Sequence, residues 1–203
     1  MKKVGVLISG RGSNLGALIE AQSSNERAGA PYKIALVISN NADAGGLTRA
    51  QAAGIATLVI PHKGKSREEF DSEMDVALQS AGVELVVLAG FMRILSDGFV
   101  RGWEGRLINI HPSLLPAYKG TQVHERVIAA GETSSGASVH FVVPELDAGP
   151  VIAQATVPVH PGDTAPALAA RILEIEHKLY PAALRLLADG KVRLEHGLAV
   201  FAD

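Results

Sequence analysis

Short apolar runs rich in Val, Ile and Leu alternate with longer amphipathic stretches along this chain. A strand buried on both faces reads as a near-continuous apolar run, and a helix covering a sheet shows apolar residues every three or four positions. Their alternation is the pattern of βαβ units around a parallel sheet. The spacing predicts strands over 4–9, 33–39, 57–60, 84–89 and 106–110. Between them it predicts helices over 13 to about 27, 47–53 and 66–79, the first with Leu15, Leu18 and Ile19 on one face and Ser13 or its neighbour as cap. The run Leu85-Val86-Val87-Leu88-Ala89 marks a central strand. Further on, a helix is expected over 121–130, strands over 137–143 and 151–157 that pair antiparallel at the sheet edge, and a closing helix from 165 to about 188, kinked at Pro181. The fold class expected is therefore α/β: a single-domain, Rossmann-like open sheet, mostly parallel with an antiparallel addition near the C-terminal half, and helices on both faces.

Composition narrows the function. The 203 residues carry 19 basic and 21 acidic side chains, a net charge of −2, and no basic stretch long enough to track nucleic-acid phosphates. Cysteine is absent, which excludes disulfides, thiolate metal sites and thiol nucleophiles and accords with a cytoplasmic location. No segment has the uninterrupted apolar length of a membrane span, and the opening MKKVGVLISG breaks into glycines too early for a signal peptide. His124-Glu125 lacks a second histidine at the spacing of a zinc motif, so no catalytic metal is expected.

Ser9-Gly10-Arg11-Gly12-Ser13-Asn14 lies where the first strand turns into the first helix, so free backbone N–H groups and the positive helix end converge there. Leu15 occupies the place where a dinucleotide fingerprint needs a small residue, and 39–41 read Ser-Asn-Asn where a ribose-binding acid belongs. No Lys-Ser or Lys-Thr pair completes a Walker loop. Either the glycines only permit a tight turn, or the loop holds a single phosphate.

Asn109 and His111, two apart in a strand, project from one face while Ile108 and Ile110 pack behind them. They stand at the carboxyl end of that strand, where ligands of open α/β sheets bind. The segment 145–150 adds an acid, Asp147, in a defined turn; taken alone it is only a turn. The other histidines read as surface or packing residues.

ISGRGSN at 8–14, AGFMRILS at 89–96, NIHPSLLP at 109–116, GASVH at 136–140 and ELDAGPVI at 145–152 together resemble the phosphoribosylglycinamide formyltransferase family of purine biosynthesis, in that family's order and over essentially the whole chain. The resemblance implies that Asn109, His111 and Asp147 are catalytic, that Gly12, Ser13 and Asn14 hold a substrate phosphate, and that Glu176 lies near its ribose. It implies a folate site lined by Arg67, Met92, Arg93, Ile94, Leu95, Asn109, Val143 and Asp147, and a cis peptide at Leu115-Pro116. The N-terminal half, about 1–89, would bind phosphate, and the C-terminal half, about 90–203, would carry catalysis and folate. Arg11 replaces an Asn frequent between the family's glycines, and Gln122 stands where some members have His.

The implied partners are phosphoribosylglycinamide and, as co-substrate, 10-formyltetrahydrofolate, with no metal, nucleic acid or membrane; the chain is expected to be a monomer or homodimer. Formyl transfer passes through a tetrahedral species with negative charge on oxygen, which requires donors such as Asn109 and His111. An acid beside an imidazole favours its charged form, and such a pair can move the proton the amine must lose. Two rivals stay open. A formyltetrahydrofolate hydrolase would use the same set on water but usually carries an N-terminal regulatory domain, whereas strand one is expected here from residue 4. A non-catalytic phosphate-binding module would need no Asn109–His111 geometry.

Overall fold

The computed structural model describes residues 1–25 and 31–202. Seven strands form one sheet: β1 (Lys2–Ile8), β2 (Tyr32–Ser39), β3 (Ala56–Val59), β4 (Leu85–Leu88), β5 (Leu107–His111), β6 (Ser134–Phe141) and β7 (Val151–Pro158), in the order β3-β2-β1-β4-β5-β6-β7. Neighbours from β3 to β5 pair in parallel, and β6 and β7 add on antiparallel. The chain leaves β1 toward one edge and returns at β4 toward the other. A crevice therefore opens at the carboxyl ends of β1 and β4, where no crossover helix covers the sheet.

Both faces are covered, as the apolar strands require. Val4, Val6, Ile8, Val87, Ile108 and Ile110 point to one core with Leu15 and Leu18 of α1 (Ser13–Asn25), Leu47 and Ala50 of α2 (Gly45–Ala52) and Leu184 of α6 (Ala165–Ala188). Leu7, Val86, Leu88 and Leu107 point to the other with Phe70, Met74 and Leu78 of α3 (Arg67–Ser80) and Phe99 of α4 (Asp97–Gly102). A smaller cluster seats Val123 and Val127 of α5 (Val123–Ala129) against Leu168 and Ile172 of α6. The Tyr180 hydroxyl reaches the carbonyl oxygens of Leu88 at 2.8 Å and Ile108 at 3.2 Å, pinning α6 across β4 and β5.

Local signals account for the element ends. Ser66 and Glu69 form a reciprocal capping box at the start of α3, and Thr164 caps α6. Pro181 lies inside α6, which continues through it as a single element.

Some boundaries depart from the sequence reading. The first helix takes its initial bond from Gly16 N–H to the Gly12 carbonyl, so of Ser13 and its neighbours it is Gly12 that holds the capping position. Its expected end near Arg27 lies outside the described residues. α2 begins at Gly45 rather than 47, and its first turn lies close on β1 and the loop after it: a Cβ on Gly46 would lie 2.5 Å from Ile8 Cδ1 and 3.2 Å from Gly12 Cα. β6 starts at Ser134, drawn out by pairing with Pro158 of β7, and stops at Phe141 instead of 143. Three elements had no expectation. α4 is too short to show a period, and the hairpin of β8 (Val192–Glu195) and β9 (Leu198–Phe201) turns on His196 and Gly197, both at positive φ, with His where Asn or Asp would signal such a turn. Among the described residues no helix is long and apolar enough to cross a membrane.

Candidate active site

Asn109 and His111 end β5 on the face that Leu107 shares, with Ile108 and Ile110 in the opposite core. The loop after β6 brings Asp147 over them. His111 Nδ1 lies 3.4 Å from Asp147 Oδ2, and the two side chains are 6% and 7% exposed. Asp147 sits at φ 49°, a left-handed conformation that Asp tolerates better than most residues. Gly149 makes that loop possible, because a Cβ there would stand 1.7 Å from the Phe141 carbonyl oxygen.

His140 adjoins the group; of the surface and packing alternatives the sequence left for it, the structure gives the buried one and adds a contact with Asn109. In the antiparallel register it lies directly opposite Asn109. Its Nδ1–H donates to the Phe141 carbonyl at 2.8 Å, which leaves Nε2 to accept from Asn109 Nδ2 at 3.2 Å. Asn109 is thereby held with one amide hydrogen engaged and the second still available. Asp147 Oδ1 lies 3.7 Å from the same His140 nitrogen. Burial pushes the His140 imidazole below its ordinary value against the opposing pull of Asp147, consistent with a neutral ring that accepts from Asn109. Cross-strand register, visible only once β5 and β6 pair, was the missing signal.

The loop after β5 covers this group. The Tyr118 carbonyl accepts from His111 Nε2 at 2.9 Å, and Gly120 N–H donates to Asp147 Oδ2 at 2.9 Å. The Leu115-Pro116 peptide is cis. Among the described residues no three His, Asp or Glu side chains gather as metal ligands.

The glycine turn before α1 forms a second set of contacts. Gly12 has φ 71°, and a Cβ there would meet Gly46 Cα at 2.5 Å, so the loop closes tightly on α2. Asn14 Nδ2 donates to Glu176 Oε2 at 2.9 Å across 162 positions of sequence. Asn14 and Glu176 are both buried, and burial raises the Glu176 carboxyl above its ordinary value although the Asn14 bond opposes the rise. Beside Ser13 a cavity of about 530 Å³ is lined by Arg49, His177 and Lys178, basic residues the sequence reading did not single out. Arg49 Nε donates to the Arg11 carbonyl at 3.2 Å and so braces the loop.

The residues matched to folate are more dispersed. Met92 and Ile94 are exposed on the loop after β4, Arg93 lies between them, and Leu95 turns inward to the core at 8% exposure. Val143 lies in the loop beyond β6, half-buried. Arg67 opens α3 and lines a separate cleft of about 470 Å³ with Asp71, Asp75 and Asp97. There Asp71 accepts from Ser96 N–H, and burial raises its carboxyl.

Comparison with known proteins gives this arrangement a setting. Residues 2–184 match the formyl transferase family model. The chain is 48% identical to the phosphoribosylglycinamide formyltransferase of Escherichia coli K12 over 195 residues, 96% of this chain and 91% of that protein. It is 50% identical over 193 residues to the human trifunctional purine biosynthetic protein adenosine-3, covering 95% of this chain but 19% of that protein, so it spans about a fifth of such relatives. The crystal structure of glycinamide ribonucleotide transformylase 1 from Symbiobacterium toebii superposes with a TM-score of 0.95 at 42% identity, covering 100% of this chain and 95% of that one. A formyltetrahydrofolate deformylase from Pseudomonas syringae is more distant in sequence, at 28% identity and TM-score 0.91, with 100% of this chain and 66% of that one covered.

Proposed function

The chain belongs to the formyl transferase family, and from that premise we propose that it transfers a formyl group from 10-formyltetrahydrofolate to the amine of phosphoribosylglycinamide in purine biosynthesis. The observation that carries this reading is the convergence of Asn109, His111 and Asp147, drawn from a strand end and a distant loop onto one buried point.

In the proposed reaction the amine nitrogen attacks the formyl carbon and a new C–N bond forms. The bond from that carbon to the folate nitrogen breaks, the amine gives up a proton, and the folate nitrogen takes one. Negative charge collects on the formyl oxygen between these events. Asn109 offers an uncharged N–H, since His140 engages only one of its amide hydrogens. His111 Nε2–H, which bonds the Tyr118 carbonyl, reaches the oxyanion once that carbonyl yields. Asp147 steadies the imidazole when His111 takes up a proton, and the pair carries that proton between the two nitrogens. No covalent enzyme intermediate is needed.

Gly12, Ser13 and Asn14 take the substrate phosphate at the start of α1, and Glu176, oriented by Asn14, meets the ribose hydroxyls. Arg67, Met92, Arg93, Ile94, Leu95 and Val143, with Asn109 and Asp147, line the folate site. On this reading the half of the chain up to about 89 binds phosphate and the remainder carries catalysis and folate. The protein works in the cytoplasm as a monomer or homodimer, on small molecules rather than nucleic acid.

The test is to supply 10-formyltetrahydrofolate with and without phosphoribosylglycinamide. Consumption that depends on the amine and yields its formylated product supports the reading; equal consumption without the amine would instead mark a hydrolase.

A further inference from the structure

Ser9, the residue after β1, ties together the two loops that border the crevice at the sheet's centre. Its backbone N–H donates to the Gly90 carbonyl at 3.1 Å, and its hydroxyl oxygen accepts from the Met92 N–H at 2.8 Å. A serine hydroxyl has a single proton, and here that proton goes to Asn40 Oδ1 at 2.6 Å. Asn40 Nδ2 in turn lies 3.2 Å from His62 Nδ1, so that nitrogen accepts and the ring carries its proton on Nε2. His62 also meets Phe70 edge-on, and Phe70 stacks on Phe91 with the rings 6.4 Å apart and 8° from parallel. The contacts close a circuit: Ser9, Asn40, His62, Phe70, Phe91, and through Met92 back to Ser9.

Among the described residues, few other contacts hold the loop from Phe91 to Leu95. Met92 and Ile94 are 74% and 61% exposed, so their side chains supply almost no packing. Leu95 anchors one end in the core, and the Met92 N–H on Ser9, backed by the Phe91 stack, anchors the other. The second anchor exists only while Ser9 presents a lone pair toward Met92. Asn40 enforces that by taking the hydroxyl proton, and His62 fixes which end of the Asn40 amide faces Ser9.

We propose that Asn40 and His62 are positioning residues for the 91–95 loop, and that through it they set the affinity for the folate co-substrate. The proposal rests on the functional reading above, in which this loop lines the folate site. Neither residue belongs to the Asn109–His111–Asp147 group, so their loss acts on folate binding and not on the chemical step.

Asn40→Leu keeps the approximate volume and leaves the Ser9 hydroxyl without its acceptor. The KM for 10-formyltetrahydrofolate should rise about three- to tenfold, the range of one neutral hydrogen bond, while kcat and the KM for phosphoribosylglycinamide stay within about twofold. Hydrogen exchange at the Met92 amide should accelerate, and Asn40→Asp, which retains the acceptor for Ser9, should recover most of the folate KM. An unchanged folate KM in a folded Asn40→Leu protein overturns the proposal, as does an equal rise in both KM values, which marks a general structural role. If Asn40→Leu does not fold, His62→Phe keeps the ring on Phe70 and removes the nitrogen; it should shift the folate KM the same way, and no shift there overturns the proposal. A wild-type protein without formyl transfer sinks the functional reading instead. The anchor is then judged by Met92 exchange alone, and exchange unaltered by Asn40→Leu overturns it.

Discussion

His111 Nδ1 and Asp147 Oδ2 face each other across 3.4 Å with almost none of either side chain exposed. Two polar groups so enclosed have little access to water, so removing either partner leaves the other without its nearest polar neighbour. Their contact depends on a loop that closes back on β6 and places an acid beyond the end of a different strand.

His111→Ala and Asp147→Asn should each reduce kcat by about 10² or more, the usual scale for losing a positioned acid–base group. Circular dichroism and thermal melts should show both variants folded. Near-normal turnover in both would remove these residues from the mechanism.

His140 holds Asn109 from across the sheet, so His140→Ala should free the Asn109 amide and lower kcat by about tenfold, one donor's orientation being lost rather than the donor itself. The KM values should move less than kcat. A larger effect than that of Asn109→Ala would mean that His140 acts on the reaction directly.

Burial lowers the His140 imidazole below its ordinary 6.5. As pH falls through that value the unfolded chain takes a proton that the folded chain still refuses, so folded stability is lost below it, down to the folded pKa, and is fully present above it. Relative to His140→Gln, the wild type should therefore lose stability as pH falls below about 6.5, with a slope of at most about 1.4 kcal/mol per pH unit for one proton. Parallel urea midpoints for the two proteins over that range would contradict a buried neutral His140. His124, also lowered by burial, is present in both proteins and cancels in the difference.

Gly149→Ala places a methyl group against the Phe141 carbonyl oxygen, at a position where backbone must shift. The loop carrying Asp147 would be displaced, so stability should fall by about 1–3 kcal/mol, as for overpacking, and kcat should fall with it. A calorimetric melt and a rate assay on the same sample check both. Lost stability with full activity would show that Asp147 tolerates the shift.

Glu176→Ala removes the buried carboxylate that Asn14 orients. The KM for phosphoribosylglycinamide should rise about tenfold or more, the scale of hydrogen bonds to a charged group, with the folate KM unchanged. Equal changes in both would argue for a packing role.

Most of the sheet was readable because its signal is local. Val4, Val6, Leu7 and Ile8 lie in one run, and a run buried on both faces has few alternatives to a central parallel strand. Asn109 and His111 were readable for the same reason, since a period of two places them on one face whatever surrounds the strand. The hairpin at His196-Gly197 and the six residues of α4 escaped because neither carries a period or a turn residue strong enough to announce it.

Sequence by itself therefore determined the strand and helix run, the pairing of Asn109 with His111, the glycine turn at the start of α1 and, through resemblance, the family. Tertiary structure alone decided what meets what. It set His140 opposite Asn109, Asp147 against His111, Asn14 on Glu176, and Asn40 on Ser9. These contacts join residues up to 162 positions apart, and their geometry follows from strand register and loop closure, which depend on the packing of the whole core and leave no mark in the neighbouring sequence.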